Sequence, residues 1–309
     1  MARRAARRIG LILFVLWGAA TLAFAGLRLV PGDPARIIAG GVQASASPAV
    51  LDAIRAEYGL DRPWPVQYLI FMGRLLRADL GASYQLNRPV AEVIGEQLGA
   101  TLALAAGAVA GGLALAVALA VLTAGRPRAR ALARALEFCA ISTPAFWTGI
   151  LLLAVFSFHL HWFPVLGEGG VRALVLPWLT LTLSIAGVLA QVTREGMERA
   201  LDQPFTLTAR SRGAGENRVR LRHALRHAAL PLLTLSGWVL GELLGGVVVV
   251  EAVFARQGLG QVIVTAVAGR DFPVVTGVVV LAALTFALIS AALDVLYRAV
   301  DPRLRRAAT

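Results

Sequence analysis

Residues 98–124 read LGATLALAAGAVAGGLALAVALAVLTA, and these 27 residues contain no charged side chain. A helix rises 1.5 Å per residue, so about 20 apolar residues are enough to cross the hydrocarbon core of a bilayer. This stretch is therefore long enough to span a membrane as a helix. Hydrophobic residues make up 58% of the whole chain, above the roughly 45–50% of a soluble domain, and the excess lies in long runs.

Six segments of this kind occur along the 309 residues. The predicted spans are residues 9–30, 98–124, 136–160, 174–192, 228–253 and 273–296. The first follows an arginine-rich start, but its apolar run exceeds the roughly 7–15 residues of a signal-peptide core, so we expect it to remain as a span. The sequence predicts an all-α polytopic membrane protein in which residues 1–309 form a single transmembrane domain.

Charge predicts the orientation. All 30 basic residues are Arg, and with 18 acidic residues the net charge is +12. Twenty of these arginines fall at the N-terminal start, in the loops 126–134 and 193–227, and in the C-terminal tail, which all lie on one side of a six-span chain. Because positive loops stay on the cytoplasmic side, we expect both termini and the 193–227 loop to be cytoplasmic. The same clustering argues against nucleic-acid binding.

Residues 31–97 then form an extracytoplasmic segment. They mix acids, prolines and short apolar patches, which predicts short amphipathic helices. Within the spans, Gly107 with Gly111 and Gly241 with Gly245 form two G-x-x-x-G patterns that allow close helix packing.

Motifs for catalysis are missing from the sequence. The chain has no G-x-x-x-x-G-K-[ST] phosphate loop and no cluster with metal-ligand spacing, so we expect no catalytic residue, cofactor or metal in this chain. Two glutamates lie within the predicted fifth span. Glu242 and Glu251 are candidates for the translocation path or a gate, although a polar contact between helices would also explain them.

The 193–227 loop is the most informative stretch. Residues 208–217 read TARSRGAGEN, which predicts a short helix, a glycine break at 213–215 and a second helix rising into the membrane. Such a charged helix pair favours a docking surface, although positive-inside anchoring alone would also account for the arginines. The candidate docking residues are Thr208, Ala209, Arg210, Ser211, Arg212, Gly213, Ala214, Gly215, Glu216 and Asn217.

At these residues the chain resembles the permease subunits of bacterial ATP-binding-cassette (ABC) importers, in the dipeptide, oligopeptide and nickel branch. Ala209, Gly213 and Leu230-Pro231 match the family's cytoplasmic loop. The general importer pattern begins with Glu-Ala-Ala, where this chain has Leu207-Thr208-Ala209, and Arg212 stands where Lys is usual. The replacement of Glu-Ala-Ala by Leu207-Thr208-Ala209 is similar to the pattern of the peptide branch.

The resemblance extends over nearly the whole chain. Matching motifs include Pro31-Gly32-Asp33-Pro34, Gly59-Leu60-Asp61-Arg62-Pro63, Asp79-Leu80-Gly81, Pro144-Ala145-Phe146-Trp147, Gly258-Leu259-Gly260, Arg270-Asp271-Phe272-Pro273 and Asp301-Pro302-Arg303.

This resemblance implies a type I importer permease in a bacterial cytoplasmic membrane, with peptides as substrate. It implies four kinds of partner: a second homologous permease, two cytoplasmic ABC ATPase subunits, an extracytoplasmic substrate-binding lipoprotein and membrane lipids. ATP and Mg²⁺ would be held by the ATPases, so this chain would not itself be an enzyme. Residues 208–217 would couple it to those ATPases.

Three alternatives remain open at this point. The chain could carry nickel or another small solute, since the same branch includes such carriers. It could be an ion-coupled secondary transporter with Glu242 as the proton site, although the first and last three spans show no repeat. It could also be a membrane scaffold for the 31–97 segment that transports nothing.

Overall fold

The computed structural model describes residues 2–29, 33–40, 46–165 and 170–300, and it is helical along most of them. Within these residues the only extended pairing is an isolated bridge between Ala82 and Pro89. Two stretches are π-helical. Leu153–His159 continues α7, and Val219–Ala224 leads into α11. The all-α prediction is confirmed. The helices are α1 (Ala2–Leu29), α2 (Pro34–Ile38), α3 (Pro48–Glu57), α4 (Trp64–Leu76), α5 (Val90–Thr123), α6 (Pro127–Ser142), α7 (Ala145–Leu152), α8 (Val171–Leu201), α9 (Pro204–Ser211), α10 (Glu216–Arg218), α11 (Leu225–Val253), α12 (Leu259–Ala268) and α13 (Phe272–Val300).

Five helices in the described part of the chain are long and apolar enough to cross a membrane, judged by length and composition. They are α1, α5, α8, the helix that ends as α11, and α13. A sixth crossing is obtained if the bent pair of α6 and α7 counts as one span. This number agrees with the six spans predicted from the sequence.

The third predicted span, 136–160, is not one continuous helix. α6 and the extended α7 meet at an angle of 103°. Thr143 at this break has an extended backbone (φ −98°, ψ 121°), and Pro144 precedes the first residue of α7. Proline lacks an N–H and disfavours the helical conformation in the residue before it, which explains why the helix stops here. Hydropathy averaged over the span does not reveal this break.

Two helices extend beyond their predicted ends. α5 begins at Val90, eight residues before the predicted start, so the 31–97 segment already ends in helix. α8 continues to Leu201, nine residues past the predicted end. The stretch assigned to a 193–227 loop is therefore helical at both ends. Polar residues end an apolar run without ending a helix, because one face can remain packed while the other meets solvent.

The short amphipathic helices predicted in the 31–97 segment are present as α2, α3 and α4. α4 packs against α1. The Tyr68 hydroxyl lies 2.8 Å from the Thr21 hydroxyl, and the rings of Phe71 and Phe24 stack with centroids 5.5 Å apart. Two side-chain contacts therefore connect α4, in the amphipathic segment, to α1, the first span.

The chain divides into two compact units, residues 1–99 with 257–287, and residues 100–256 with 288–309. In the first unit, the start of α5 packs against α12 and α13, and Val90, Ile94 and Val274 are buried. The core of the second unit is formed by α5, α7, α8 and α11. Its buried members include Leu104, Leu153, Leu181, Leu189, Val239 and Val250.

Within the second unit, glycines let α5 approach α8 closely. A Cβ atom added to Gly107 would lie 2.5 Å from Nε1 of Trp178, and one added to Gly111 would lie 2.8 Å from Oγ1 of Thr182. The first G-x-x-x-G pattern is therefore used for packing within the chain. Gly245, in the second pattern, has no atom within 4 Å of its Cβ position, so its face of α11 is open.

Candidate functional site between α8 and α11

The predicted docking segment, residues 208–217, is exposed along most of its length. α9 ends at Ser211, and the chain turns through 212–215 before α10 begins at Glu216. Gly213 has a φ of 83°, a left-handed conformation that glycine adopts without steric cost. The predicted order of helix, glycine break and helix is confirmed.

An ion pair connects the two helices on either side of the glycine break, α9 and α10. Arg210 Nε donates to Glu216 Oε1 at 2.7 Å, and Arg210 Nη2 donates to Oε2 at 3.3 Å. The hydrogen bond to Glu216 raises the pKa of the Arg210 guanidinium. Because both side chains are exposed, the pair adds little stability but holds the end of α9 beside the start of α10.

The base of α9 is anchored below the exposed segment. The buried Thr206 hydroxyl lies 2.8 Å from the carbonyl oxygens of both Leu201 and Gln203, and the Phe205 ring stacks on His227 with centroids 4.7 Å apart. A displacement of α9 would therefore be transmitted to the helices that meet here. The apolar cluster at this base comprises Ala120, Ala124, Met197, Ala200, Ala224 and Ala228, from the ends of α5 and α8 and from the start of α11 with its preceding π-helical stretch.

A buried ion pair that was not predicted from the sequence links α6 to α8. Arg194 Nη2 donates to Glu137 Oε2 at 2.6 Å, and Nη1 donates to Oε1. The two side chains are only 1% and 4% exposed. In the sequence, Arg194 falls among the arginines of the predicted 193–227 loop, and Glu137 lies within the predicted span 136–160. A signal was available, since a carboxylate at the edge of a span is expected to pair with a cation.

The two candidate path residues lie on different faces of α11. Glu242 is exposed, on the face that also carries Trp238 and Gly245. Glu251 is fully buried and accepts a hydrogen bond from the Thr101 hydroxyl of α5 at 2.8 Å. The structure does not bring these glutamates together. The burial of Glu251 favours a contact between helices, and a role in the path stays a prediction.

The arrangement between α8 and α11 can act mechanically. Within the described ranges, no group of three or more His, Cys, Asp or Glu side chains is placed to hold a metal ion. Residues 208–217 instead expose charged and small side chains on a short helix whose base is packed on longer ones. Such a segment can bind a partner by shape and charge and can pass a displacement to α5, α8 and α11.

Family comparisons cover nearly the entire chain. Residues 88–306 match the binding-protein-dependent transport system inner membrane component family. Residues 1–105 match the N-terminal membrane component of binding-protein-dependent transport systems. The first of these matches includes the docking segment and both glutamates of α11.

Similar proteins carry transport names. One from Brucella abortus (strain 2308), named for a peptide transport system permease, is 38% identical over 313 residues, or 98% of each chain. The glutathione transport system permease protein GsiC of Salmonella typhimurium (strain LT2) is 40% identical over 301 residues, or 97% of each chain. A crystal structure of an amino acid ABC transporter with histidines gives a TM-score of 0.50 over 64% of this chain and 89% of its own. At 18% identity this last likeness shows a shared fold alone.

These matches agree with the helices described above. The apolar helices and the family description together identify a multi-pass protein of the bacterial inner membrane. The family description and the names of the relatives describe membrane permease subunits of transport systems. The chain belongs to the family of binding-protein-dependent transport system inner membrane components.

Proposed function

We propose that this chain is a permease subunit of an ATP-driven peptide importer, and that it forms the path across the membrane with a second, homologous permease. Relatives named for peptide and glutathione transport are 38% and 40% identical to it along almost their whole length, which supports a peptide substrate. Glutathione is itself a small peptide, so both names indicate one class of substrate. An extracytoplasmic binding protein would deliver the peptide.

Energy would come from two cytoplasmic ATPase subunits that hold ATP and Mg²⁺. The observation that carries this proposal is the exposed segment 208–217, anchored on α5, α8 and α11 in a chain whose sequence has no phosphate loop. An ATPase bound to α9 would move the three anchored helices together. Such coupling requires contacts that differ between two conformations of the permease.

Glu242 would line the peptide path. A carboxylate at the centre of a lipid-facing helix costs about 2.5–3.5 kcal/mol on insertion scales, so its exposed face of α11 is expected to border water or the partner permease. There it could attract the ammonium group of a peptide. Glu251, which is buried against Thr101, would instead hold the C-terminal end of α11 against α5 and so position the gate.

The coupling role is tested by reconstituting the permease pair with its ATPases and binding protein in liposomes and measuring ATP-dependent uptake of a labelled tripeptide. We expect Ala209→Glu to reduce uptake at least about tenfold, because a bulky charge on α9 would obstruct the docked ATPase. Gly213→Glu combines such a charge with strain at positive φ. Gly213→Asn should retain more activity, because Asn tolerates the left-handed conformation.

Arg128→Glu is the matched control. Arg128 is exposed at the start of α6 and is predicted to lie on the same side of the membrane, so the variant introduces a similar negative charge outside the docking segment. We expect its uptake to remain near that of the unmodified protein. If Ala209→Glu also leaves both uptake and ATPase binding unchanged, the coupling role is wrong.

A further inference from the structure

A cleft in the first compact unit is not used by any role described so far. Its volume is about 290 Å³, and it is bordered by the 85–86 loop, the start of α5, the residues before α12, and α12 itself. This volume lies just below the usual range for small-molecule sites, about 300–1,000 Å³. The cleft therefore suits a ligand of a few residues better than a folded partner.

The polar lining of the cleft consists mainly of amides. Gln85, Gln97, Gln257 and Gln261 contribute side chains from three parts of the chain. A glutamine amide offers both N–H donors and a carbonyl acceptor and carries no charge. Across the described residues, the side chains of Gln97, Gln257 and Gln261 form no hydrogen bond, so they can pair with a ligand.

One wall of the cleft is held in place before any ligand arrives. Asp271 is 3% exposed and accepts hydrogen bonds from the backbone N–H groups of Tyr84 (3.1 Å) and Gln85 (3.3 Å) and from the Ser83 hydroxyl. The Gln85 side chain donates to the carbonyl of Gly269 at 2.6 Å. The Asp271 carboxylate, which borders the cleft, therefore already accepts hydrogen bonds from the protein. The polar side chains left to meet a ligand are neutral, and most of them are glutamine amides.

We propose that this cleft binds the main chain of a short peptide and serves as an extracytoplasmic subsite of the permease. A peptide presents N–H and C=O groups in alternation, which neutral amides can match as both donors and acceptors. Val93, Val262 and Val274 supply an apolar surface for small side chains. Because no free charge lines the cleft, the charged ends of the peptide contribute little to binding. This inference rests on the proposed peptide substrate.

The test measures binding directly, using the permease complex in nanodiscs without its binding protein. The probes are trialanine with free termini and trialanine with acetylated and amidated termini, titrated by calorimetry. We expect both to bind with similar affinity. Each lost neutral hydrogen bond should weaken binding roughly three- to tenfold, so Gln257→Leu and Gln261→Leu should each do so.

Gln191→Leu is the control, because Gln191 is also an exposed glutamine but lies on α8, outside the cleft. A second readout places a thiol at the cleft as Thr265→Cys in a Cys139→Ala background. Bound trialanine should slow alkylation of that thiol, and in the Gln261→Leu variant the same protection should require a roughly three- to tenfold higher peptide concentration. This readout does not depend on the size of the calorimetric signal.

Several results would overturn the subsite. These are absence of trialanine binding, binding of the free but not the blocked peptide, or equal weakening by Gln191→Leu. Cleft variants that reduce capture of the binding protein but leave trialanine binding intact would make the cleft a protein-docking surface instead. Failure of the proposed function is distinct: the complete system would then not import labelled peptide, whatever the binding titrations show.

Discussion

At the scale of single residues, the ion pair between Glu137 and Arg194 fixes α6 against α8. Its two side chains are almost completely buried and make two hydrogen bonds to each other. Removing charges from water is costly, so the net contribution of such a pair to stability is small. Replacing one of the two residues is nevertheless strongly destabilising, because the remaining charge is then buried without a partner.

We therefore predict that Glu137→Gln lowers the free energy of unfolding by about 3–5 kcal/mol, because it leaves the Arg194 guanidinium buried without a counter-charge. Thermal unfolding in detergent, followed by tryptophan fluorescence, measures this as a lower Tm. The double variant Glu137→Met with Arg194→Met should recover much of the loss, since both desolvation costs disappear. As a control, Glu96→Gln removes an exposed partner of Arg88 and should leave the Tm nearly unchanged. Equal effects of Glu137→Gln and Glu96→Gln would contradict the prediction.

At the scale of helices, the two G-x-x-x-G patterns are predicted to respond differently to an added methyl group. Gly107→Ala places a Cβ atom 2.5 Å from Trp178 and should destabilise the protein by about 1–3 kcal/mol through overpacking. Gly245→Ala meets no atom within 4 Å and replaces glycine inside a helix, so its Tm should be unchanged or slightly higher. The two Tm values are compared in the isolated chain. An unchanged Tm for Gly107→Ala would show that α5 and α8 do not approach closely at Gly107, and a loss for Gly245→Ala would show that its face of α11 is packed.

The turn after α4 provides a pH-dependent contact. The Asp79 carboxylate accepts hydrogen bonds from Arg74 Nε and from the Gly81 N–H, each at 2.8 Å, and these lower its pKa below the ordinary value of 3.8. A carboxyl group with a lowered folded-state pKa stabilises the fold above its unfolded pKa, and this contribution is lost as pH falls through the folded value. The turn should therefore weaken only below about pH 4.

We predict that Asp79→Asn lowers the Tm between pH 5 and 7, and that the difference from the unmodified protein shrinks toward zero as the pH falls below about 4. Thermal scans of both proteins across this range provide the measurement. Asp61→Asn is the control, because Asp61 is exposed and forms no ion pair within the described residues. A Tm difference that stays constant down to pH 3 would exclude an ionised Asp79 as its cause.

At the scale of the whole molecule, the distribution of arginines predicts which side each segment faces. In a Cys139→Ala background, Ser211→Cys and Ala82→Cys each place one thiol at an exposed position. A membrane-impermeant maleimide should label Ser211→Cys in inside-out vesicles and Ala82→Cys in intact spheroplasts, because positive loops stay cytoplasmic. Permeabilised membranes, where both should react, control for accessibility. Labelling of Ser211→Cys in intact spheroplasts would reverse the topology and exclude ATPase docking at α9.

The sequence alone determined the features that depend on neighbouring residues. Runs of about 20 apolar residues specify spans because a helix of that length satisfies its own backbone in lipid. The glycines at 213–215 specify a break because they permit a backbone that other residues avoid, and Gly213 indeed has a φ of 83°. These properties are local, so a linear reading recovers the all-α class, the number of spans and the order of elements in the docking segment.

Only the tertiary structure decided which distant residues meet. Glu137 and Arg194 are 57 positions apart, and Ser83 and Asp271 are 188 apart. Hydropathy could not separate the exposed Glu242 from the buried Glu251, because burial depends on which face of α11 packs against α5. The cleft lined by glutamines exists because packing in the first unit brings α12 and the 85–86 loop to the start of α5. Pairing and burial are set by contacts through space, and no pattern of adjacent residues encodes them.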